Sequence, residues 1–359
     1  MSNKDVIFLT GACGFVGNEI TQQLLNDGHK VVGYDLMDRR TANPKTLKEL
    51  ATHRNFTFIQ GNILDSGKLE DTLRSTKPDA VIHAAAISSV DQSIKRPDIA
   101  FSTNALGTQR VLEAARQVGV ERLHYLSTDE IYGHSTNRRF TEESPTDPRN
   151  PYAAGKLSGQ SIVGAYGTTY GMEVTFTNAV NNFGPRQAPE KLIPRLAVRA
   201  IQGRTLPVYG DGKQVREWMH VGDHAAGVIY VLNHGVRGQS YLLGTDETHE
   251  NMEVVQLIMD TLNIPQSRIE YVEDRKGSDL RYAVDSSKAR RLGWRPTRGF
   301  ETGMQETIRW YNNNADWWKY YLKMYPDLRP PNQQTVRTTR LISKPIYERQ
   351  AQTTQNSIV

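Results

Sequence analysis

The chain has 359 residues and a mass of 40.5 kDa, enough for one large domain or two ordinary ones without metal or disulfide staples. Hydrophobic residues at 38% and charged residues at 23% exclude a wholly disordered chain, and the lone Cys13 excludes an internal disulfide or a cysteine-rich metal cluster. A formal net charge of +5, diluted over so large a surface, suits anionic small molecules as well as it suits nucleic acid.

No apolar run approaches the ~20 residues needed to cross a bilayer. The apolar start from Val6 to Leu9 lacks a basic leader and runs directly into glycines, so a soluble, reducing compartment, the cytoplasm, is expected. Val6 to Thr10 reads as a central parallel strand, Gly14 to Asn26 as a helix and Lys30 to Tyr34 as the second strand. Phe56 to Gln60, Ala80 to Ala84 and Leu123 to Ser127 continue the strands. Between the last two, Val111, Ala114, Ala115 and Val118 mark one helix face. Such alternation predicts an α/β fold, a doubly wound Rossmann-like parallel sheet with helices on both faces.

Tyr152 to Tyr170 reads as a long helix and Val174 to Asn178 as another strand, closing a first unit at about residue 180. Asn181 to Glu190, rich in Asn, Gly and Pro, reads as irregular, and Gly210 to Gly212 as a turn. Ala225 to Leu232, Val254 to Leu262 and Gly303 to Tyr311 read as helices. A smaller unit over 181–325 is expected, with some segments returning to the first. The aromatic cluster Trp317, Trp318, Tyr320, Tyr321 and Tyr325 reads as packing or an interface, and 326–359 as a polar tail.

Gly11-Ala12-Cys13-Gly14-Phe15-Val16-Gly17 follows the first strand and opens the first helix. Its glycines permit a tight turn and close approach of backbone N–H groups to a pyrophosphate. Asp35, ending the second strand, supplies a ribose acceptor. The flanking strand and helix make this a dinucleotide loop, and the acid favours NAD over NADP, although Arg39 and Arg40 follow closely. Cys13 and His83 read as packed side chains, and no histidine spacing suits a metal.

Ser127-Thr128-Asp129-Glu130 ends the fifth strand, at the edge where open parallel sheets bind ligands. Four residues apart, Tyr152 and Lys156 share one helix face. A tyrosine with an ordinary pKa near 10 is a poor base, but a nearby ammonium and a nicotinamide ring would favour its phenolate.

These motifs together resemble the extended short-chain dehydrogenases/reductases, most closely the nucleotide-sugar 4,6-dehydratases of the dTDP-glucose type. The resemblance runs from about Val6 to Tyr311. It includes Ser127-Thr128-Asp129-Glu130-Ile131-Tyr132-Gly133, Tyr152 to Lys156, Asn181-Asn182-Phe183-Gly184-Pro185, Glu190-Lys191-Leu192-Ile193-Pro194 and Arg216-Glu217-Trp218. It implies that Thr128 and Tyr152 serve the sugar C4 hydroxyl, Lys156 holds the nicotinamide ribose, Glu130 is the C5 base and Asp129 the acid at C6. Gly11, Gly14, Phe15, Val16, Gly17, Asp35, Asn62, Ile63, Ala84, Ala85 and Ser127 would join Tyr152 and Lys156 around NAD. Ser88, Asn181, Glu190, Lys191, Leu192, Tyr209, Arg216, Asn251 and Arg275 would hold the nucleotide sugar, the arginines on its diphosphate.

Ile87 and Ser89 depart from the dehydratase pattern, and their stretch looks more like the sugar epimerases and decarboxylases of the same superfamily; Gly155 and Asn62 are milder changes. A nucleotide-sugar 4-epimerase, which needs no Asp129–Glu130 pair, is the near rival, and a non-catalytic nucleotide-sensing protein the distant one. The expected partners are a nucleoside-diphosphate hexose and a second copy of the chain, with no metal, membrane or nucleic acid. The two copies would meet through Pro97 to Val118 and Tyr152 to Tyr170, helped by small Ala114, Ala115, Gly159 and Gly164.

Overall fold

The computed structural model describes residues 4–134, 138–273 and 281–329. Short runs of β-branched and aromatic residues bounded by Gly, Asp or Asn form the strands of the main sheet. These are β1 (Val6–Thr10), β2 (Lys30–Asp35), β3 (Phe56–Gln60), β4 (Ala80–His83), β5 (Arg122–Thr128) and β6 (Glu173–Ala179). Four short strands follow, interleaved with helices: β7 (Asn181–Phe183), β8 (Leu206–Tyr209), β9 (Val215–His220) and β10 (Ser240–Leu243). The main sheet is parallel throughout, in the order β10-β6-β5-β4-β1-β2-β3. Parallel strands need a crossover each, so every carboxyl end faces the same edge.

The helices of the first half are α1 (Phe15–Asn26), α2 (Pro44–Leu50), α3 (Ser66–Thr76), α4 (Val90–Lys95), α5 (Pro97–Phe101), α6 (Thr108–Gln117) and α7 (Pro151–Tyr170). Later come α8 (Leu192–Ile201), α9 (Val221–His234), α10 (Asn251–Leu262), α11 (Ser287–Leu292), α12 (Phe300–Asn313) and α13 (Ala315–Trp318). On one face, Ile20 and Leu24 of α1 and Ala225 and Val228 of α9 close over Ile7, Leu9 and Ile82. On the other, Leu69 and Leu73 of α3, Val111 and Ala115 of α6 and Val163 of α7 cover Phe8, Val81 and Leu123. Thus β10 and α9, from the second half of the chain, complete the first layer system.

The smaller unit lies on α8, α10 and α12, whose Leu196, Ile258 and Met304 share a core with Leu206, Val208 and Trp218. Its strands include β11 (Thr248–Glu250), antiparallel to β9, and β12 (Ile269–Val272), parallel to β8.

Several local expectations change. Asn181 to Phe183 forms a strand, because parallel pairing with Trp218 to His220 satisfies a backbone that its own residue types leave irregular. The helix expected from Pro97 to Val118 runs continuously to Gln117, with its winding changed to a π-helical turn at Ser102–Gly107 between α5 and α6. Ala114, Ala115 and Gly159 serve packing within one chain: the alanines are buried in the core, and a Cβ at Gly159 would lie 2.3 Å from the Tyr125 hydroxyl. Packing also continues beyond residue 325, through a turn at Pro326–Leu328 with Leu328 fully buried, because the aromatic cluster packs against Ala188, Ala197 and Tyr311. The remainder of the expected tail, from residue 330, lies outside the described residues.

Candidate active site

The cofactor end is built by backbone crowding. Gly11 has φ +74°, where side chains are strained, and a Cβ there would lie 2.8 Å from the Ala85 nitrogen. A Cβ on Gly17 would lie 2.0 Å from the Gly11 carbonyl oxygen. Helix α1 therefore starts tight against β1 with Gly14 as N-cap, no side-chain cap and no acid in its first turn. Its orphan N–H groups and positive dipole end suit a pyrophosphate. Phe15 and Val16 lie in that first turn, half-buried.

Asp35 braces the loop. Its carboxylate accepts from Cys13 N at 2.9 Å and from Met37 N at 2.7 Å, leaving lone pairs for a ribose hydroxyl. Burial raises its pKa, and the two N–H donors pull it back. Burial and the charge of Asp35 push the Cys13 thiol far up, so it is no nucleophile. The residues present thus fit a dinucleotide. Asn62 Oδ1 caps its own turn by accepting from Leu64 N at 3.0 Å, and Ile63 buries its side chain in the core. Ala84 and Ala85 continue from β4 beside Gly11, where Ala85 N donates to the Thr10 hydroxyl at 3.2 Å.

The chemical end gathers at the carboxyl edge of β5. The Thr128 hydroxyl donates to Asp129 Oδ1 at 3.3 Å, accepts from Glu130 N at 3.3 Å and hydrogen-bonds the Tyr152 side chain. Thr128 is thus in contact with three of the other candidate catalytic residues. Asp129 is fully buried, and its Oδ2, like the Ser127 hydroxyl, has no hydrogen-bond partner. Buried polar atoms left open in this way suit groups of a substrate. Burial first, then the charges of Glu130 and Glu217, hold Asp129 well above the usual carboxylate range. Glu130 is half-buried and accepts from Asn150 Nδ2 at 3.2 Å, while Asn150 Oδ1 caps α7 through Ala153 N. Adjacent carboxyls therefore meet different surroundings, Asp129 fully buried with one oxygen unpartnered and Glu130 half-buried against the Asn150 amide.

The expected phenolate needs the positive nicotinamide ring as well, and in the protein frame by itself Tyr152 and Lys156 respond to burial. Burial, then the charge of Glu130, pushes the Tyr152 hydroxyl up rather than toward phenolate. Lys156 is buried with its ammonium 4.1 Å from the centre of the Tyr125 ring, and burial lowers its pKa to about 7. The frame alone does not activate Tyr152, because its own burial and the Glu130 charge outweigh the Thr128 contact.

The sugar-side candidates come from four separate stretches. Lys191 Nζ donates to Ser88 O at 2.8 Å, joining the loop before α8 to the segment after β4. Asn181 opens β7, and Leu192 opens α8 with its side chain against the small-unit core. Gln214 Nε2 donates to Tyr209 O at 3.1 Å, and Asn251 Nδ2 donates to Gln214 Oε1 at 3.2 Å. The Arg216 guanidinium lies 4.9 Å from the Tyr282 ring centre, a cation–π contact, and its charge reaches Asp129. Arg275 lies outside the described residues.

Gln214, Asn150 and Asn104 escaped the sequence reading. Asn104 grips the Ile87 backbone, donating to its carbonyl at 3.1 Å and accepting from its N–H at 2.8 Å. A polar Asn in mid-helix is a poor helix former, and that was the available signal. Among the described residues no group of three or more His, Cys, Asp or Glu could hold a metal ion, and no helix is long and apolar enough to cross a membrane.

A parallel sheet with a glycine turn after β1 and a Thr, Tyr and Lys set at β5 and α7 defines an extended short-chain dehydrogenase/reductase-like fold. Residues 8–307 match the family model described as GDP-mannose 4,6 dehydratase. The dTDP-glucose 4,6-dehydratase of Neisseria meningitidis serogroup B is 39% identical over 340 residues, 88% of this chain and 96% of that protein. DesIV, a dTDP-glucose 4,6-dehydratase from Streptomyces venezuelae crystallised with NAD, superposes with a TM-score of 0.84 at 40% identity, covering 88% of this chain and 99% of its own. The UDP-glucose 4-epimerase of Thermus thermophilus, in complex with NAD, superposes at 0.80 with 29% identity over 86% of this chain and 99% of its own. The chain belongs to the GDP-mannose 4,6 dehydratase family.

Proposed function

We propose that this protein is an NAD-dependent nucleotide-sugar 4,6-dehydratase acting on a nucleoside-diphosphate hexose, dTDP-glucose first among them. The observation that carries the reading is the Asp129–Glu130 pair, a fully buried carboxyl with an unpartnered oxygen beside a half-buried carboxylate at the Thr128–Tyr152 group. NAD, when bound by the glycine turn and Asp35, supplies a hydride acceptor for C4 and a hydride donor for C6. Tyr152 takes the C4 hydroxyl proton, with Thr128 orienting both groups. Lys156 holds the ribose beneath. The resulting C4 ketone acidifies the C5 hydrogen, which Glu130 removes, and Asp129 gives its proton to the departing C6 hydroxyl. Arg216, Tyr209, Asn251 and Gln214 hold the diphosphate and base end.

Incubation with dTDP-glucose should give a product lighter by one water, with the original C4 hydrogen at C6 and no net consumption of NAD. The Ile87-Ser88-Ser89 stretch favours one second reading, C4 epimerisation. A product of unchanged mass with inverted C4 would establish that instead.

We also propose a homodimer. Exposed Ile94, Phe101 and Leu106 lie along α4, α5 and the π-helical turn. Light scattering at micromolar protein should give twice 40.5 kDa; the monomer mass would remove the proposal.

A further inference from the structure

After α12 the chain crosses between two loops that serve opposite ends of the site. On the cofactor side is the loop from Leu36 to Asn43, which follows Asp35. Asn43 Nδ2 donates to Trp317 O at 2.9 Å, and the Tyr321 hydroxyl donates to Thr41 O at 3.3 Å. On the sugar side is the loop from Gln187 to Lys191, where the Tyr311 hydroxyl donates to Gln187 O at 2.6 Å. Asp327 then ties the crossing segment to α8 through Arg195 at 2.7 Å. Trp317, Trp318 and Tyr321 are buried, so the segment is a packed strap rather than a loose end.

Its joint is Tyr325. The hydroxyl lies 3.2 Å from Arg40 O and 3.2 Å from Glu190 Oε2. Both neighbours are acceptors, and a phenol has one proton to donate, so a full-strength bond to one weakens the other. A carboxylate competes well for that proton, since charge-assisted hydrogen bonds are the stronger kind. A backbone carbonyl receives the full bond only when the carboxylate turns elsewhere.

We propose that Tyr325 is a positioning residue that couples the sugar-side loop to the cofactor-side loop by sharing its one proton between Glu190 and Arg40. When Glu190 turns to a sugar hydroxyl, the proton passes wholly to the Arg40 carbonyl and tightens the ribose loop over NAD. The direction of coupling rests on the proposed function, in which Glu190 meets the sugar and the loop after Asp35 meets the cofactor. Linkage makes the effect reciprocal: bound NAD in turn favours sugar binding.

The test is release of NADH from the full chain, followed by its fluorescence in stopped flow with no sugar present. Tyr325→Phe removes the proton and keeps the ring; release should quicken about fivefold, the scale of one net hydrogen bond. Glu190→Ala removes the competing acceptor and should slow release about as much, although the residue lies on the sugar side. The double variant should behave as Tyr325→Phe alone. A purely structural strap predicts faster or unchanged release in every variant, and either result with Glu190→Ala overturns the proposal. Should Tyr325→Phe fail to fold, Glu190→Ala decides by itself. In steady state Tyr325→Phe, which frees Glu190 from its competing phenol, should not raise KM for dTDP-glucose, and a raised KM would overturn the scheme. A native chain that turns over no nucleoside-diphosphate hexose defeats the proposed function, while the release rates still decide the coupling.

Discussion

Replacing Glu130 by Gln is expected to lower turnover by about 10²–10⁴-fold, the usual cost of losing a positioned proton-transfer group. Exchange of the sugar C5 hydrogen with deuterated solvent should stop, while NAD stays bound and some C4 oxidation persists. The geometry explains the separation. Gln keeps the size of Glu130 and can still meet the Asn150 amide through its own oxygen, so the α7 cap and the Tyr152 position survive. Asp129→Asn should act at the next step, leaving C5 exchange faster than loss of water. Its Oδ2 is buried without a partner, and burial raises its pKa and so favours the protonated carboxyl, and the variant removes the proposed proton donor. Equal retention of dehydration in both variants would sink the assignment of acid and base. Loss of Tyr152 discriminates less, since oxidation at C4 precedes both dehydration and epimerisation.

Acid should unfold the chain partly through its buried histidines, and His224 gives the cleanest measurement. It is fully buried on α9, both ring nitrogens lack partners, and burial lowers its pKa to about 4. His124, on the neighbouring strand, lies within electrostatic reach of it and is itself lowered to about 3. The sign follows from linkage: the unfolded imidazole takes a proton near pH 6.5, the folded one only near 4. The stability associated with neutral His224 is complete above pH 6.5 and falls as pH drops toward 4. His224→Leu removes that loss. Against the native chain it should gain about 1.4 kcal/mol per pH unit below 6.5, reaching about 3 kcal/mol near pH 4. At pH 7 it should be neutral or slightly stabilising, because two unsatisfied buried groups disappear. Raised carboxyls such as Asp129, Asp35 and Glu217 oppose the trend in both proteins and cancel in the difference. Denaturant titrations at several pH values measure it; a difference independent of pH would contradict the account.

The amino-acid sequence by itself determined what short-range physics encodes. Short runs rich in apolar residues marked β1 to β6, because a strand buried on both faces favours apolar side chains, whereas β10 went unread until its pairing with β6. Glycine spacing marked the turn at α1, since only a missing Cβ lets Gly17 meet the Gly11 carbonyl. A four-residue spacing put Tyr152 and Lys156 on one helix face. Tertiary structure alone decided what depends on partners far along the chain. Asn181 to Phe183 became a strand because β9 offered it hydrogen bonds, and Ala115 and Gly159 became internal packing because Tyr125 and α3 lie against their elements. The protonation of Tyr152 and Lys156 turned on burial, which no local spacing reports. Tyr325 meets Arg40 and Glu190 across 285 and 135 residues of chain. Periodicity carries no information over such distances; only the closed core brings those groups within one proton of each other.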